Sequence, residues 1–526
     1  MNQPPTQPSQ SPPPPAQGSA NQPDRCEQPP KTNTCSRRDL LSAAALAAAG
    51  AVLSSHHGPA ANAQPPTAAN PPTATRPVRT DAQRPRAIIL LISDGMSLGT
   101  LTMAEQLAQL TRNRSTRWAD LLRNPNAINI LLATDSADSP VTDSAAAATA
   151  IASGHRARNG TINLLPDGRP LTPITALLHR QGHRIGLVST TRITHATPAG
   201  FASSVNNRNL EDSIAEQYLK LGVDLLLGGG SVHFDPAARS DQRDLLADYR
   251  QANYAILTSA AQLADLKPSA RALGLFDTSH LPYTIDQLAD PAAHATMPTL
   301  AQLTAAALAC LHQHDGGYLL MVEGGRVDHA AHNNDAAGIL HDQLAFDDAL
   351  AVALDHAERT ADTLVLTTTD HANANPGLNG MGSGYRRSGA AFERLARVKH
   401  SFDWVIQRIT DAGGPTETTL NSLRCILHRA TALELPDAEL LTFKKALNKL
   451  PTGEIHVQHE NPPGIYGQIL ANHLGIGFCG TSHTSDFAPL TAIGPGAHAL
   501  RDARHLADLQ PRIASLLGID PNDNLS

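Results

Sequence analysis

The sequence predicts an α/β protein with a doubly wound, mostly parallel central sheet that is flanked by helices. Two observations support this prediction: seven short runs of residues are almost continuously apolar, and helix-like segments separate several of them. Apolar runs without alternation are typical of strands that are buried on both faces, as in parallel sheets. Strands that alternate with helices favour a doubly wound sheet, which binds ligands beyond the carboxyl ends of its strands.

The strands and helices follow from these patterns in chain order. The predicted strands are Ala87–Ser93, Ile128–Ala133, Arg184–Ser189, Asp224–Leu227, Tyr318–Val322, Thr363–Thr369 and Leu490–Ile493. The predicted helices in the same part of the chain are Ile174–Gln181, Leu300–His312 and Gly338–Arg359. We interpret residues 235–290 as mixed loop and helix without recognisable chemistry.

The amino-terminal residues differ in composition from the rest of the chain. Arg37 and Arg38 precede a short apolar run, Leu40–Leu53, and Ala61-Asn62-Ala63 then offers small residues for cleavage. Twin arginines before such a run are typical of a twin-arginine export signal, which we place in residues 1–63. The apolar run is too short for a stable membrane span. Residues 64–86 are predicted to form a Pro-rich linker. The export signal predicts a periplasmic or extracellular location for the protein.

The remainder divides into a core and an insertion. Residues 87–385 carry the strand and helix pattern of the core, and residues 471–526 return to it and end in a helix. Residues 386–470 hold two predicted helices, Ala390–Ile409 and Leu420–Leu433, and are interpreted as an insertion that caps the sheet. The net charge of −7 over 526 residues gives no reason to expect nucleic acid or an anionic membrane as a partner.

The stretch Val141–Ser144 precedes a run of alanines that ends at Gly154. Alanine favours helices and glycine commonly terminates them, so a short helix is predicted with Ser144 at its amino end. Unpaired backbone N–H groups and the helix dipole attract anions such as phosphate to that end. Ser144 would then lie at the edge of an anion site, although serine and aspartate there also act as plain helix caps.

Carboxylates and histidines follow several predicted strands, at one rim of the predicted sheet. They are Asp94, His195, Glu323, Asp328, His332, Asp370 and His371. Buried carboxylates repel one another unless a cation neutralises them, so this recurrence indicates bound metal ions. Asp328 and His332 are four residues apart, which places both on one face of a helix, and mixed nitrogen and oxygen ligands suit zinc. The all-oxygen set of Asp94, Thr197 and Glu323 suits magnesium.

Six motifs occur in a fixed order between residues 87 and 495. They are Asp94-Gly95, Thr142-Asp143-Ser144-Ala145-Ala146, His195-Ala196-Thr197-Pro198, Glu323-Gly324 with Asp328 and His332, Thr369-Asp370-His371, and Ser482-His483-Thr484. On these motifs the chain resembles the bacterial alkaline phosphatases. Arg208 stands thirteen residues after His195, where that family keeps its phosphate-binding arginine. The resemblance implies hydrolysis of phosphate monoesters to an alcohol and phosphate.

The resemblance also implies a role for each motif residue at a site for two Zn²⁺ ions and one Mg²⁺ ion. Asp328, His332 and His483 would hold the first zinc, Asp94, Asp370 and His371 the second, and Asp94, Thr197 and Glu323 the magnesium. Ser144 would be the nucleophile that becomes phosphoserine, and Arg208 would be the phosphate clamp. Two zinc ions can hold the attacking and leaving oxygens of an in-line displacement. The family is commonly dimeric, so the resemblance implies a homodimer.

His195 and His329 stand where some members of the family carry Asp and Lys, and where other members, including animal ones, carry histidine at both positions. We assign both histidines to substrate binding beside Arg208. Direct ligation of a metal is the less favoured alternative, because metal ligands usually need hydrogen-bonding neighbours of this kind. The two histidines leave the identity of the third metal open.

Three other functions share parts of this pattern. A phosphodiesterase or a sulfatase of the same superfamily would keep the fold, and a non-catalytic exported protein could bind the metals or phosphate. Arg208 and the third metal set favour a monoester, because a diester needs room for a second ester group. Ser144 lacks the Cys/Ser-x-Pro-x-Arg context expected of a sulfatase. A binding protein has no need of a serine at the helix end.

Overall fold

The computed structural model describes residues 84–292, 294–380, 384–448 and 461–520. The predicted export region 1–63 and most of the linker 64–86 lie outside the described residues, as does part of the predicted insertion 386–470. Within the described residues, no helix combines the length and the apolar character that crossing a membrane requires.

A central sheet of nine strands organises the described chain. The strands are β1 (Ala87–Ile92), β2 (Ile128–Leu132), β3 (Arg184–Arg192), β4 (Leu225–Gly229), β5 (Tyr254–Leu257), β6 (Arg271–Leu275), β7 (Tyr318–Glu323), β8 (Thr363–Thr368) and β13 (Ala488–Ile493). Their order in the sheet is β2-β13-β8-β1-β7-β3-β4-β6-β5. Only β13 runs antiparallel to its neighbours in this sheet. Four short strands form two antiparallel pairs, β9 (Ala372–Asn373) with β12 (His483–Thr484), and β10 (Gly377–Leu378) with β11 (Ile476–Gly477).

Helices connect and flank the strands. They are α1 (Leu98–Arg112), α2 (Arg117–Arg123), α3 (Ser144–Ser153), α4 (Ile174–Arg180), α5 (Ala196–Ala202), α6 (Glu211–Leu221), α7 (Leu245–Gln251), α8 (Thr284–Ala289), α9 (Leu300–Leu311), α10 (Arg326–His332), α11 (Ala336–Thr360), α12 (Ser388–Leu395), α13 (Phe402–Asp411), α14 (Leu420–Thr431), α15 (Asp437–Leu447), α16 (Pro462–Leu474) and α17 (Leu509–Leu517). Short 3₁₀ turns occur at Ser231–His233, Ala260–Asp265, Tyr385–Arg387, Ala497–Leu500 and Leu506–Asp508. The predicted doubly wound, mostly parallel α/β fold is therefore confirmed.

Two local predictions are wrong. Residues 235–290 contain strands β5 and β6 in addition to the predicted loop and helix. The predicted helix Ala390–Ile409 is two helices, because residues 396–401 leave the helical path before Ser401 caps α13 by accepting a hydrogen bond from the N–H of Trp404. Serine is a strong helix cap, and in this stretch that cap outweighs the continuous apolar periodicity.

The unbroken apolar run of β1 is explained by burial on both faces. Ile89 and Leu91 pack into a core on one side of the sheet, and Ile88 and Leu90 pack into a second core on the other side. All four side chains are at most 1% exposed. Burial of one such side chain contributes about 1.5–3 kcal/mol, so β1 is a rigid support for the residues that follow it.

Asp335 and Asp342 belong to the start of α11 and are buried carboxyl groups. Burial raises the pKa of each to about 7, against about 4 in an unfolded chain. The folded protein therefore holds more protons than the unfolded chain between about pH 4 and 7. The free energy of unfolding should fall as the pH rises through this window, by up to about 1.4 kcal/mol per pH unit for each group.

Urea unfolding at a series of pH values tests this expectation, with a larger free energy of unfolding expected at pH 5 than at pH 8. Replacement of Asp342 by Asn should flatten the dependence, because the amide does not titrate in this range. Asp348→Asn is the matched control, since Asp348 lies on the same helix and its side chain is 38% exposed. An equal slope in the wild type and in Asp342→Asn would contradict the assignment.

Candidate metal centre

The carboxyl ends of neighbouring parallel strands meet at the centre of the sheet. In the sheet register, Ile92 at the end of β1 lies beside Glu323 of β7 on one side and Thr368 of β8 on the other. Asp94 and Asp370 follow two residues beyond these strand ends. The topology therefore brings three carboxylates, distant in sequence, to one rim.

Helix α3 brings Ser144 to this rim. The carboxylate of Asp143 caps the helix by accepting a hydrogen bond of 2.9 Å from the N–H of Ala146, and Ser144 is the first helical residue. Ser144 is 1% exposed. The helix packs closely against α5. The approach is so close that a Cβ atom added to Gly200 of α5 would lie only 2.5 Å from the Cβ of Ala148. Small residues on both helices therefore allow the approach that seats α3.

Asp328, His332 and His483 form the first group of candidate ligands. His332 Nε2 lies 3.3 Å from Asp328 Oδ2 and 3.1 Å from His483 Nε2. His332 Nδ1 contacts the carbonyl of Thr481 at 2.7 Å, and His483 Nδ1 contacts that of Thr142 at 2.9 Å. Since a carbonyl only accepts, each Nδ1 carries a proton, so both Nε2 atoms are left to face the carboxylate of Asp328. Burial lowers the pKa of His332, but the charge of Asp328 outweighs it and raises that pKa to about 9. A bound cation would take the place of the proton on His332 Nε2.

Asp94, Asp370 and His371 form the second group, next to Ser144. His371 Nε2 lies 3.2 Å from Ser144 Oγ, 3.3 Å from Asp370 Oδ2 and 3.6 Å from Asp94 Oδ1. All four residues are at most 1% exposed. Asp370 Oδ1 accepts hydrogen bonds from the backbone N–H groups of Gly95 and His371, which orients the carboxylate and leaves Oδ2 for another partner.

Asp94, Thr197 and Glu323 form the third group, and all three are fully buried. Glu323 Oε2 accepts hydrogen bonds from the hydroxyls of Ser189 and Thr191, whereas Glu323 Oε1 has no hydrogen-bond partner among the described residues. Asp94 belongs to this group and to the second one. The two groups therefore adjoin, as the family resemblance implies.

The carboxylates of the centre repel one another. Burial raises the pKa of Asp94 well above its usual range, and the charge of Asp370 adds to the effect. Burial likewise raises the pKa of Glu323, and it raises that of Asp370 to about 8. Burial acts in the same direction on Asp328, but the neighbouring His332 outweighs it and holds the pKa of Asp328 well below its usual range. Bound cations would relieve the repulsion among these groups.

Several ligand atoms lack a hydrogen-bond partner in the described structure, although they are buried. They are both carboxylate oxygens of Asp94, Thr197 Oγ1, Glu323 Oε1 and Asp370 Oδ2. A buried polar atom without a partner costs about 1–3 kcal/mol, and a charged one costs more. Three sets of side chains place their ligand atoms within the span of one ion, namely Asp328 with His371 and His483, Asp94 with Asp370 and His371, and Asp94 with His195 and Glu323. These residues fit divalent metal ions.

Gly95 is required by its conformation and by the space around it. Its φ of +72° is unfavourable for other residues, and an added Cβ would lie 2.5 Å from Asp328 Oδ1. The close approach also involves Asn373, whose Nδ2 donates a 2.7 Å hydrogen bond to the same Oδ1. The Asp94-Gly95 motif thus allows close packing against the first group and also supplies Asp94 as a candidate ligand.

Arg208 lies next to helix α3. Its Nη1 donates a 3.0 Å hydrogen bond to Asp143 Oδ2, and its Nη2 donates one of 3.1 Å to His195 Nε2. The backbone N–H of Arg208 is bonded to the carbonyl of Gly160 at 2.8 Å. A guanidinium has five N–H groups, so donors remain for an oxyanion. Arg208 is thereby held beside the amino end of the helix that begins with Ser144.

His195 lies close enough to Asp94 and Glu323 to share a metal ion with them, but its hydrogen bond to Arg208 argues against a role as a metal ligand. A guanidinium can only donate, so His195 Nε2 uses its lone pair to accept from Arg208. The same lone pair cannot bind a metal at the same time, and the proton of the neutral ring then lies on Nδ1, which has no hydrogen-bond partner among the described residues. Neither nitrogen is then free to bind a metal, which supports the prediction that His195 is not a direct ligand.

Sequence reasoning missed His280. Its ring lies 4.4 Å from that of His329 and 5.7 Å from that of His195, between ring centres, which makes a cluster of three histidines. Burial lowers the pKa of His280 to about 2 and that of His195 to about 3, so the rings stay neutral. The residue follows β6, one of the two strands that were not predicted. Recognition of that strand would have placed His280 at the same rim as the other candidates.

The sequence model of the family "Alkaline phosphatase" matches residues 85–403 of this chain. The chain belongs to the alkaline phosphatase family. Alkaline phosphatase 3 of Bacillus subtilis (strain 168) is 30% identical over 424 residues, which cover 78% of this chain and 84% of that protein. Streptomycin-6-phosphate phosphatase of Streptomyces griseus is 35% identical over 340 residues, covering 55% of this chain and 74% of that protein. The crystal structure of Thermus thermophilus alkaline phosphatase matches with a TM-score of 0.75 and 32% identity, and covers 82% of this chain and 92% of that one.

Membership of the alkaline phosphatase family confirms the resemblance that was inferred from the six motifs. The chain is accordingly a metal-dependent phosphomonoesterase. The structure brings the predicted ligand residues, Ser144 and Arg208 to one rim, although they span nearly 400 residues of sequence.

Proposed function

We propose that this alkaline phosphatase hydrolyses phosphate monoesters through a phosphoserine at Ser144, with two Zn²⁺ ions and one Mg²⁺ ion. The observation that carries the proposal is the contact of 3.2 Å between Ser144 Oγ and His371 Nε2, at the amino end of helix α3. A serine hydroxyl at that position lies beside both a ligand group and an anion-attracting helix end.

The zinc ions would be held by the first two groups and the magnesium by the third. Asp328, His332 and His483 are one zinc set, Asp94, Asp370 and His371 the other, and Asp94, Thr197 and Glu323 the magnesium set. The partnerless oxygens of these side chains and their mixed nitrogen and oxygen donors support the assignment. When bound, the metals would favour the deprotonated serine and stabilise the charge of the leaving oxygen.

The side chains around Ser144 position the reaction. Ser144 Oγ attacks phosphorus, the bond from phosphorus to the ester oxygen breaks, and the alcohol departs. Water then releases phosphate from the serine. Arg208, His195 and His329 bind the phosphoryl oxygens, with Arg208 held in place by Asp143. Phosphoryl transfer of this kind depends mainly on positioning and on charge stabilisation.

Replacement of Arg208 by Ala should weaken the binding of phosphate by about 1.5–3 kcal/mol, the scale of a hydrogen bond to a charged group. The inhibition constant of inorganic phosphate should therefore rise about 10- to 150-fold. Competitive inhibition assays on the metal-loaded enzyme measure this change. Arg156→Ala is the control, since Arg156 pairs with Asp135 and its side chain is 46% exposed. An unchanged inhibition constant would remove Arg208 from the phosphate site.

Hydrolysis of a chromogenic phosphate monoester at mildly alkaline pH, beside the matching diester and sulfate, tests the proposed reaction. Residues 64–526 would be assayed with zinc and magnesium, and again after chelation. Monoester turnover that chelation abolishes is the expected result. Preference for the diester or sulfate would overturn the roles given to Arg208 and the third group. Absence of turnover on all three would favour the binding-protein alternative.

The natural alcohol is a further part of the proposal. One relative is named for streptomycin 6-phosphate, so the substrate panel should include a phosphorylated aminoglycoside beside nucleotide and sugar monoesters.

We also propose export through the twin arginines Arg37 and Arg38, and a homodimer. Cell fractionation and light scattering test these two points.

A further inference from the structure

Arg326 is a buried arginine at the first position of helix α10, which also carries Asp328 and His332. Its guanidinium covers the ring of Tyr283, with Cζ 3.7 Å from the ring centre, and only 8% of the residue is exposed. Arg326 belongs to none of the three ligand groups and is not one of the proposed phosphate-binding residues. Since a guanidinium carries only donors, the acceptors around Arg326 determine what it does.

The first acceptor is His329. Arg326 Nη1 lies 2.8 Å from His329 Nδ1. Because the guanidinium cannot accept, Nδ1 must present a lone pair, and the single proton of the neutral ring then lies on Nε2. Among the described residues, the hydrogen bond of the His329 ring is the one made by Nδ1, which leaves Nε2 unused. Arg326 therefore selects one tautomer of His329, and that tautomer has an unused N–H donor.

The second acceptor lies in the segment that is predicted to cap the sheet. Arg326 Nη2 donates a 3.1 Å hydrogen bond to Asp403 Oδ2, near the start of α13. The other oxygen of Asp403 accepts a 2.9 Å hydrogen bond from Asn333 Nδ2, just after α10 ends. Asp342 of α11 adds a second carboxyl group near the guanidinium, and this group is negatively charged above its pKa of about 7. The carboxylate of Asp403 thus fixes the direction in which Arg326 points.

The oriented imidazole adjoins the proposed phosphate clamp. The ring of His329 lies 5.4 Å from that of His195, and His195 Nε2 accepts the hydrogen bond from Arg208. A continuous set of contacts therefore runs from Asp403 through Arg326 and His329 to the residues around Arg208. An unused neutral donor beside a guanidinium suits recognition of a phosphoryl oxygen.

We propose that Arg326, anchored by Asp403, is a positioning residue that keeps His329 in its Nε2–H form and so lets it donate to a phosphoryl oxygen beside Arg208. The inference rests on the proposed function. It also gives α13 a part in the affinity for phosphate, through one hydrogen-bonded carboxylate.

A double-mutant cycle on the metal-loaded enzyme tests the proposal. Arg326→Met should raise KM and the inhibition constant of inorganic phosphate about 10-fold, the loss of one hydrogen bond, with kcat changed less than about threefold. His329→Ala should have a similar effect. The double variant should be no worse than His329→Ala, because Arg326 acts through that ring. Effects that multiply would overturn the proposal.

Two further variants test whether Arg326 positions His329 or only holds α13 in place. Arg326→Lys keeps a charged donor and should recover part of the lost affinity. Asp403→Asn removes the anchoring charge and should raise the inhibition constant about threefold; this variant replaces Arg326→Met if the latter fails to fold. Arg408→Met, on the same helix as Asp403 and paired with Asp411, is the matched control. If the Arg326 and Asp403 variants have a lower melting temperature but an unchanged affinity for phosphate, the pair only holds α13 against α10. That result would overturn the proposal.

The tautomer can be read without any assay of turnover. In protein labelled with ¹⁵N at histidine, the signals of His329 are those lost in His329→Ala. The wild type should show the proton on Nε2, and Arg326→Met should show a mixture of tautomers. A proton on Nδ1 in the wild type would overturn the inference even if the enzyme hydrolyses monoesters. If no monoester is hydrolysed, the proposed function fails, while the spectrum still decides the tautomer.

Discussion

Replacement of Ser144 by Ala is expected to lower kcat by about 10³-fold or more, and to leave the metal content unchanged. The reason is geometric: Ser144 Oγ is the hydroxyl that lies 3.2 Å from His371 Nε2, at the capped end of α3. Without it, water would have to attack the ester directly and would lose the advantage of a positioned nucleophile. Alanine is the best helix former, so the helix itself should persist.

Steady-state turnover of a chromogenic monoester, together with zinc and magnesium contents by elemental analysis, measures both parts of this expectation. Ser153→Ala is the matched control: Ser153 is the last residue of the same helix, it is buried, and its hydroxyl bonds to the carbonyl of Thr149 at 2.7 Å. The control should retain turnover. Turnover of Ser144→Ala at the wild-type rate would refute the phosphoserine mechanism.

Removal of the metals is expected to abolish turnover and to lower the melting temperature by about 10 °C, as expected for loss of two or three tightly bound ions from a chain of this size. Asp94, Asp370 and Glu323 are buried together, and burial raises the pKa of each. Without ions these carboxyl groups must repel one another or take up protons, and the oxygens that lack partners would stay unsatisfied. Both effects destabilise the folded protein without ions.

Dialysis against a chelator, followed by activity and calorimetric measurements, tests this expectation. Addition of zinc with magnesium should restore both properties. Calcium alone should not restore activity, because the first two groups contain histidine nitrogens, which calcium binds poorly. Full activity in protein shown by elemental analysis to be free of metal would exclude metal-dependent catalysis here.

Local patterns predicted most of the sheet. The apolar runs of β1, β7 and β8 identify strands that are buried on both faces, because such strands need apolar side chains at successive positions. Helix α3 was predicted from its alanines and from Gly154, which adopts the left-handed conformation at its end. The short strands β5 and β6 were missed. In β5 the apolar run Tyr254–Leu257 is only four residues long, and Ala255 is exposed and Ile256 half-buried, as befits an edge strand.

The residues of the centre were recognised from their motifs and from their positions after strands. Asp94, Glu323, Asp370 and His371 each follow or end a predicted strand, and one rim follows from parallel topology. Their chemistry indicated bound metal ions, and the resemblance to a known family then assigned a role to each residue. His280 carries no motif and follows an unpredicted strand, so nothing marked it.

The sequence by itself determined the fold class, the family and the candidate ligands, because apolar runs and the order and spacing of motifs are local properties that a chain carries in any conformation. The tertiary structure alone decided the contacts of Arg326. Its partners His329 and Asp403 lie 3 and 77 residues away, and the choice of tautomer depends on a hydrogen bond of 2.8 Å. Hydrogen bonds require distances within a few tenths of an ångström and a fixed direction, and only the packed chain sets both.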